Sequence, residues 1–115
     1  MGLFGKKKNA YEEASNKLKE ETSAADILIM EQVKDDDDRA ANLVDELKKG
    51  NPLILNFEEL EPLASNKLLA FFAGASYALE GRSVRINEKT YLFARKVDFF
   101  DGTLQAFIDS LPRGL

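Results

Sequence analysis

Two apolar runs with an amphipathic run between them are the feature that most restricts the fold. Residues 27–33 and 52–57 are rich in Ile, Leu and Val and are typical of buried strands. Residues 39–49 bring Ala40, Leu43, Val44 and Leu47 onto one face of a helix, which Gly50 and Pro52 then end. A strand, a helix and a strand in this order predict a right-handed βαβ unit with parallel strands.

The rest of the chain continues the alternation of helices and strands. The pattern predicts a long apolar helix over 62–79 that ends at Gly81, strands over 83–87 and 90–95, and a hairpin turn over 87–89. Residues 97–100 could add an edge strand, and residues 104–111 form a short C-terminal helix. We therefore expect a single small α/β domain of order β-α-β-α-β-β(-β-α). Its mixed sheet has two helices on one face, and the C-terminal helix is short.

Composition excludes several kinds of site. The chain has no cysteine and no histidine, so thiolate zinc sites and catalysis through Ser-His or Cys-His pairs are impossible. Its net charge of −4 disfavours nucleic-acid binding. The acidic run 35–38 could bind a divalent cation, but without the spacing of a calcium loop it is better explained as the start of a helix. We expect a non-enzymatic protein without a cofactor or metal.

The N-terminal residues carry apolar side chains beside a basic cluster. Leu3 and Phe4 precede Lys6, Lys7 and Lys8, the composition of a segment that lies on an anionic membrane surface. A solvated tail is the alternative from these residues alone. We divide the chain into residues 1–23, a membrane-targeting amphipathic segment with a short linker, and residues 24–115, the folded domain.

The long helix is apolar around more of its circumference than one sheet face requires. Phe71 and Phe72 are adjacent and point about 100° apart, so one can face the sheet while the other faces a neighbour. Gly74, beside Ala75, would let a second backbone approach closely. These features predict self-association through Phe71, Gly74 and Ala75. The alternative is that the wide apolar surface of this helix belongs to the core of one chain and is covered by the C-terminal helix.

Several segments resemble the SepF family of cell-division proteins. Residues 67–81, ending in Ser76-Tyr77-Ala78-Leu79-Glu80-Gly81, are similar to the family's signature of a basic residue, an apolar pair, an acid, Phe-Leu-Ser-Gly, a Tyr-Ala-Leu-like triplet and a glycine, with Ala70 at the position of the acid. Residues 84–93 resemble its hairpin. Residues 40–47 and 52–57 resemble its first helix and apolar strand, and the basic start resembles its membrane-targeting helix.

The resemblance implies a function and a set of sites. A SepF-like protein would tether polymers of the tubulin-like protein FtsZ to the cytoplasmic face of the plasma membrane at the division site and help to assemble the septum. Its partners would be the FtsZ C-terminal tail, the membrane and further copies of itself, as a homodimer or larger oligomer. Arg85 and Tyr91 match the family's basic and aromatic hairpin residues, which the resemblance links to the FtsZ-tail pocket.

Two other functions are compatible with the same elements. One is a regulatory or ligand-binding α/β module that associates through its helices. The other is a small enzyme of acylphosphatase-like size, which would have to use Arg or Asn side chains such as Arg85 and Arg95. Since no loop gathers such groups, we prefer the adaptor.

Overall fold

The computed structural model describes residues 23–111, so the N-terminal segment and its proposed membrane-binding residues lie outside the described part. The described strands are β1 (Ile29–Gln32), β2 (Leu53–Asn56), β3 (Gly81–Asn87) and β4 (Thr90–Arg95). The α-helices are α1 (Asp37–Lys49), α2 (Pro62–Ala78) and α3 (Thr103–Ser110), and short 3₁₀ helices cover Ala25–Ile27 and Lys96–Phe99. This order confirms the predicted α/β class.

The sheet is mixed and has the strand order β1-β2-β4-β3. β1 runs parallel to β2, which is the pairing expected of strands joined through a helix. β4 is antiparallel to both β2 and β3, and residues 88 and 89 form the turn of the predicted hairpin. The two edge strands are therefore β1 and β3.

Helices cover both faces of the sheet. On one face, α1 and α2 pack over β2 and β4 in a buried cluster of Ala40, Leu43, Leu47, Leu53, Leu55, Phe57, Leu68, Phe72 and Phe93. On the other face, α3 packs in a second cluster that includes Ala24, Ile54, Ile86, Leu92, Ala94, Leu104 and Ile108. The prediction of two helices on one face is confirmed, and the C-terminal helix covers the opposite one.

The acidic run at residues 35–38 starts α1 and connects it to α2. Asp36 caps the helix by accepting a hydrogen bond from the Arg39 backbone N–H at 3.0 Å. Lys67 on α2 binds the carboxylates of Asp35 at 2.8 Å and Asp37 at 3.2 Å. Within residues 23–111, no group of three carboxylates is arranged to hold a metal ion. The run thus belongs to the helix start, as preferred from the sequence.

The predicted optional strand at residues 97–100 is wrong, because a 3₁₀ helix spans Lys96–Phe99. The Asp98 side chain, which is buried, accepts from the Arg95 backbone N–H at 2.9 Å and from Arg95 Nη2 at 3.0 Å. Both bonds connect residues three apart, so the backbone must turn tightly instead of extending. The first strand is also shorter than predicted, since Ala25–Ile27 form a 3₁₀ turn.

Gly81 was predicted to end the long helix, but it has another role. The helix ends at Ala78, and Glu80 adopts the left-handed conformation with φ of 56°. Gly81 opens β3, where a Cβ atom would lie 2.5 Å from the Ala94 carbonyl oxygen. A side chain is therefore excluded here by the close approach of the neighbouring strand.

We expect Gly81→Ala to lower the free energy of unfolding by about 2–3 kcal/mol, because the added methyl group overlaps backbone that cannot move freely. Gly74→Ala is the matched control. Nothing lies within 4 Å of a Cβ built at Gly74 in the middle of α2, so this variant should gain about 1 kcal/mol from helix propensity. Urea denaturation of both variants measures the contrast. Equal stabilities would contradict the close contact at Gly81.

Candidate functional site

A cluster of five aromatic rings lies between α2 and the sheet. Phe57, Phe71, Phe72, Tyr91 and Phe93, called the aromatic cluster below, form a continuous network. Ring centroids are 5.8 Å apart for Phe57 and Tyr91 and 6.2 Å for Phe57 and Phe72, both in edge-to-face geometry. Phe93 lies 6.3 Å from Tyr91 and 5.7 Å from Phe72, and Phe72 lies 5.4 Å from Phe71. Tyr91 and Phe71 are the members that reach the surface.

The hairpin places Arg85 directly opposite Tyr91, so the structure brings the two predicted partner-binding residues together. Val84 and Ile86 pack in the cluster beneath α3. Side chains along a strand alternate between the two faces of a sheet, so Arg85 points to the opposite face. Arg85 therefore lies on the face that carries α1 and α2, beside the aromatic cluster. A bulge in β3 between Arg85 and Asn87 ends the regular pairing there.

The Arg85 side chain is exposed, and its charge is not neutralised locally. Its Nε atom donates to the Asn87 carbonyl oxygen at 3.2 Å, and no carboxylate of residues 23–111 forms a salt bridge with it. The Tyr91 ring beside it is half-buried and packed against the core. A cation next to apolar aromatic surface suits a peptide that has both apolar side chains and a carboxylate.

The outer face of α2 is unusually apolar. Leu68, Phe72 and Ser76 recur every four residues and face the sheet, where they are buried. On the solvent side, Leu63 is 84% exposed, Tyr77 is 86% exposed and Phe71 is 43% exposed. The exposed residues Leu63, Phe71 and Tyr77, with Gly74 between them, form what we call the α2 outer face.

The predicted self-association residues differ in their surroundings. Phe71 and Gly74 are exposed, while Ala75 is half-buried. A Cβ atom built at Gly74 would contact no side chain and no other element of residues 23–111. Packing within one copy therefore does not require a glycine at this position. Sequence patterning could not decide which adjacent phenylalanine is buried; the structure shows that it is Phe72, at 0% exposure.

A shallow depression lies where the parallel strands β1 and β2 end. It has a volume of about 240 Å³ and is lined by Val33, Lys34, Asp35, Glu59, Leu60, Glu61 and Ala64. Open α/β sheets bind small ligands at the carboxyl ends of their strands, which makes this the position for a metabolite in the alternative function. Its rim carries Glu59 and Glu61, whereas Asp35 is already bound to Lys67.

The membrane-binding residues predicted from the sequence, Leu3, Phe4, Lys6, Lys7 and Lys8, lie outside the described residues. Within residues 23–111, no helix has the length and hydropathy needed to cross a membrane.

Comparison with known proteins identifies the family. The family described as "Cell division protein SepF" matches residues 27–97, which contain β1 to β4, α1, α2 and both Arg85 and Tyr91. The chain belongs to the SepF family. Its place there makes it a cell-division protein and confirms the resemblance seen in the sequence.

Curated relatives in the SepF family come from diverse bacteria. A cell division protein SepF from Carboxydothermus hydrogenoformans is 32% identical over 72 residues, which is 63% of this chain and 53% of that protein. One from Alkaliphilus oremlandii is 37% identical over 57 residues, 50% of this chain and 39% of that protein. One from a Synechococcus species is 32% identical over 73 residues, 64% of this chain and 39% of that protein. The chain thus spans about half or less of the length of these relatives.

Three residues of the aromatic cluster, Phe57, Phe72 and Phe93, were not among the predicted SepF site residues. Phe57 and Phe93 connect Tyr91 to α2, and both are buried. Phe57 follows β2, and it meets Tyr91 because Leu55 pairs with Tyr91 across the β2–β4 ladder. A register between strands so far apart in sequence has no local signal, although the position of Phe57 at the end of an apolar strand could have suggested a role.

Proposed function

We propose that this SepF family member is a non-enzymatic adaptor that tethers FtsZ polymers to the cytoplasmic face of the plasma membrane at the division site. The observation that carries the proposal is the pairing of Arg85 with Tyr91 at the exposed end of the aromatic cluster. This surface has the chemistry to bind a peptide tail, and family membership makes FtsZ the partner to test.

The tail site would bind through a mixture of apolar and charged contacts. The rings of the aromatic cluster already pack against one another, so the cluster offers apolar area without a large loss of conformational entropy on binding. The exposed guanidinium of Arg85 can pair with an acidic side chain or with a terminal carboxylate of the peptide. Neither contact involves bond-making chemistry.

Self-association would multiply weak contacts. In the proposal, the α2 outer face joins copies into a homodimer or larger oligomer through Phe71, Gly74 and Ala75. Each copy would contribute one tail site and one N-terminal membrane segment, so two modest affinities become strong when many copies bind together. The exposed Leu63 and Tyr77 extend the same apolar surface along the helix and support this arrangement.

The membrane contact is assigned to the N-terminal segment. Leu3 and Phe4 would insert at the lipid interface, while Lys6, Lys7 and Lys8 would bind anionic headgroups. This attachment would keep the folded domain at the inner surface of the membrane, where FtsZ polymers assemble.

Exchange of the proposed tail-binding residues tests the partner. We expect Arg85→Glu to weaken binding of an FtsZ tail peptide by about 1.5–3 kcal/mol, the scale of a lost charge-assisted hydrogen bond with added repulsion. Tyr91→Ala should also weaken binding, because it removes apolar surface. Isothermal titration calorimetry with the purified full chain measures both effects.

The matched control is Arg82→Glu, which makes the same charge change on the same strand. Arg82 lies three residues from Arg85 and points to the opposite face of the sheet, toward Phe99 in the cluster beneath α3. It should keep the affinity of the unaltered chain for the peptide. Normal peptide affinity in both Arg85→Glu and Tyr91→Ala would place the partner site elsewhere.

The ligand-binding alternative would use the depression at the ends of β1 and β2. Titration of the same protein with a panel of metabolites and with the FtsZ tail peptide separates the two functions. A metabolite that binds tightly, with no response to the peptide, would favour a regulatory module.

A further inference from the structure

The depression at the carboxyl ends of β1 and β2 is mostly apolar inside. Val33, Leu60 and Ala64 line it, and Val33 and Leu60 belong to the cluster beneath α1 and α2. Its volume of about 240 Å³ lies below the ~300–1,000 Å³ that is typical of small-ligand pockets. A depression of this size and lining suits one large apolar side chain better than a metabolite.

The surroundings of the depression are acidic. Residues 34–38 and 58–61 together contribute four Asp and three Glu against a single cation, Lys34. Two neighbouring cations, Lys67 and Arg39, form salt bridges with acidic side chains at this end of the domain. Even with both of these cations counted, acids outnumber cations, so the depression lies in a region of net negative charge.

Two acids on the rim of the depression have no cation bound to them. Glu59 and Glu61 are exposed, and neither forms a salt bridge with any of the residues that the structure describes. Glu61 directly precedes α2, but its side chain makes no capping hydrogen bond to the helix. Two free carboxylates beside an apolar depression suit a segment that carries an apolar side chain next to cations.

The N-terminal segment of the same chain has this composition. Phe4 supplies one large apolar ring, and Lys6, Lys7 and Lys8 follow it within four residues. The segment is proposed to bind an anionic lipid surface through these side chains. The same side chains complement the acidic, apolar depression on the segment's own domain.

The connecting chain is long enough for the segment to reach the depression. Ser23 and Val33 are ten residues apart, so at most about 35 Å separates the start of the described domain from the depression. Residues 9–22 join the lysines to Ser23, and a chain of this length spans up to about 45 Å when extended. The segment can therefore return along β1 to the opposite end of that strand.

We propose that the N-terminal segment docks in this depression in the absence of a membrane, with Phe4 in the apolar interior and the lysines beside Glu59 and Glu61. The inference rests on the proposed membrane attachment and goes beyond it by giving that attachment a regulator within the same chain. The ring and the lysines that would bind lipid are the groups that would bind the domain. Membrane and domain therefore compete for one segment.

This competition would set how readily the chain binds a membrane. Because the segment is linked to the domain, even a contact of millimolar affinity is occupied for much of the time. A segment that is docked for about two-thirds of the time has its lipid affinity lowered about threefold. Many anionic headgroups outcompete two carboxylates, so attachment would favour surfaces rich in anionic lipid.

A spin label on the N-terminal segment tests the docking without lipid. The chain has no cysteine, so Asn9→Cys in the full chain gives a single attachment point for a nitroxide just beyond the lysines. We expect the label to cause a loss of intensity in the amide NMR signals of Leu60 and Ala64, and to leave the signal of Ile108 in α3 sharp. Full intensity at Leu60 and Ala64, or an equal loss at Ile108, would overturn the proposal.

A variant that fills the depression should bind lipid more tightly. We expect Ala64→Phe in the full chain to raise the apparent affinity for vesicles of phosphatidylcholine and phosphatidylglycerol about threefold, because an attached ring then occupies the place of Phe4. Ala41→Phe is the matched control, since it adds the same ring at an exposed position of α1. Equal lipid affinities of the two variants would contradict docking in the depression.

A second variant covers the case in which Ala64→Phe fails to fold. Glu59→Gln combined with Glu61→Gln removes the two rim carboxylates, and we expect the lipid affinity to rise about threefold above that of its control. The control is Asp45→Asn combined with Glu80→Gln, which removes two exposed acids elsewhere and so corrects for the change in net charge. No difference between the two double variants would overturn the proposal.

The docking and the proposed membrane attachment fail in different ways. If Phe4→Glu leaves lipid binding unchanged, the N-terminal attachment is wrong, whatever the spin label on Asn9→Cys shows. If Phe4→Glu abolishes lipid binding while the label leaves Leu60 and Ala64 at full intensity, only the docking is wrong. The label experiment contains no lipid, so its result does not depend on the attachment.

Discussion

Phe4→Glu should remove nearly all co-sedimentation of the full chain with anionic vesicles. The proposed segment is short, so its affinity depends on a few apolar side chains, of which Phe4 is the largest. Replacing it with Glu loses the burial of a ring in the interface and adds a negative charge next to anionic headgroups. Because each copy binds weakly, a modest loss per copy becomes a nearly complete loss for an oligomer whose copies bind together.

The folded domain should be unaffected by this change. Circular dichroism and thermal unfolding of Phe4→Glu should match those of the unaltered chain, because residues 23–111 form both core clusters without it. Neutralising Lys6, Lys7 and Lys8 to Gln should produce a loss that depends on anionic lipid, while Phe4→Glu weakens binding to every vesicle. Unchanged co-sedimentation of Phe4→Glu would rule out attachment through this segment.

Local sequence signals predicted most of the elements. Helix α1 has an apolar stripe, an acidic start and Gly50 at its end, and the structure places its termini at Asp37 and Lys49. Gly50 adopts φ of 104°, a conformation in which glycine has no steric penalty. Signals of this kind lie within a few residues of the boundary they determine, so one sequence suffices to find them.

The errors arise where distant or competing contacts decide the structure. Residues 97–100 have the composition of a strand, but the bonds from Arg95 to Asp98 make a tight turn more stable. Gly81 looks like a helix stop, yet it must lack a side chain because the Ala94 carbonyl group on the neighbouring strand occupies the space where a Cβ atom would lie. A pattern along the chain contains neither the register of β3 and β4 nor the ion pair that Arg95 forms with the buried Asp98.

Some contacts of the candidate site could likewise be predicted from local sequence signals, and others depend on distant contacts. Arg85 and Tyr91 could be paired from the sequence because they flank a tight turn and alternate with buried residues. The contacts of Phe57 and Phe93 in the aromatic cluster could not be predicted, because these rings meet Tyr91 and Phe72 through the packing of β2, β4 and α2. The width of the apolar surface on α2 was visible, but its division into buried and exposed sides needed the tertiary structure.

The α2 outer face leads to a second large expected effect. Gly74→Lys should convert the proposed oligomer to a smaller species, because a long charged side chain would project from the middle of the proposed contact between copies. The same change should be harmless within one copy, since a Cβ built at Gly74 has no atom within 4 Å beyond its chain neighbours and the adjacent backbone of α2. Lysine is also a better helix former than glycine, so thermal stability of the single chain should not fall.

Light scattering coupled to size exclusion measures the mass, with two controls. Gly74→Ala adds only a methyl group without charge and distinguishes a contact that needs glycine from one that only rejects a charge. Asn42→Lys places the same side chain at an exposed position in the middle of α1, outside the α2 outer face. A normal mass for folded Gly74→Lys would show that Gly74 faces solvent in the oligomer. Gly74→Lys could give a stable monomer that still binds single FtsZ tail peptides but no longer co-sediments with vesicles. This result would separate self-association from partner recognition, because only the membrane contact would then depend on many copies acting together.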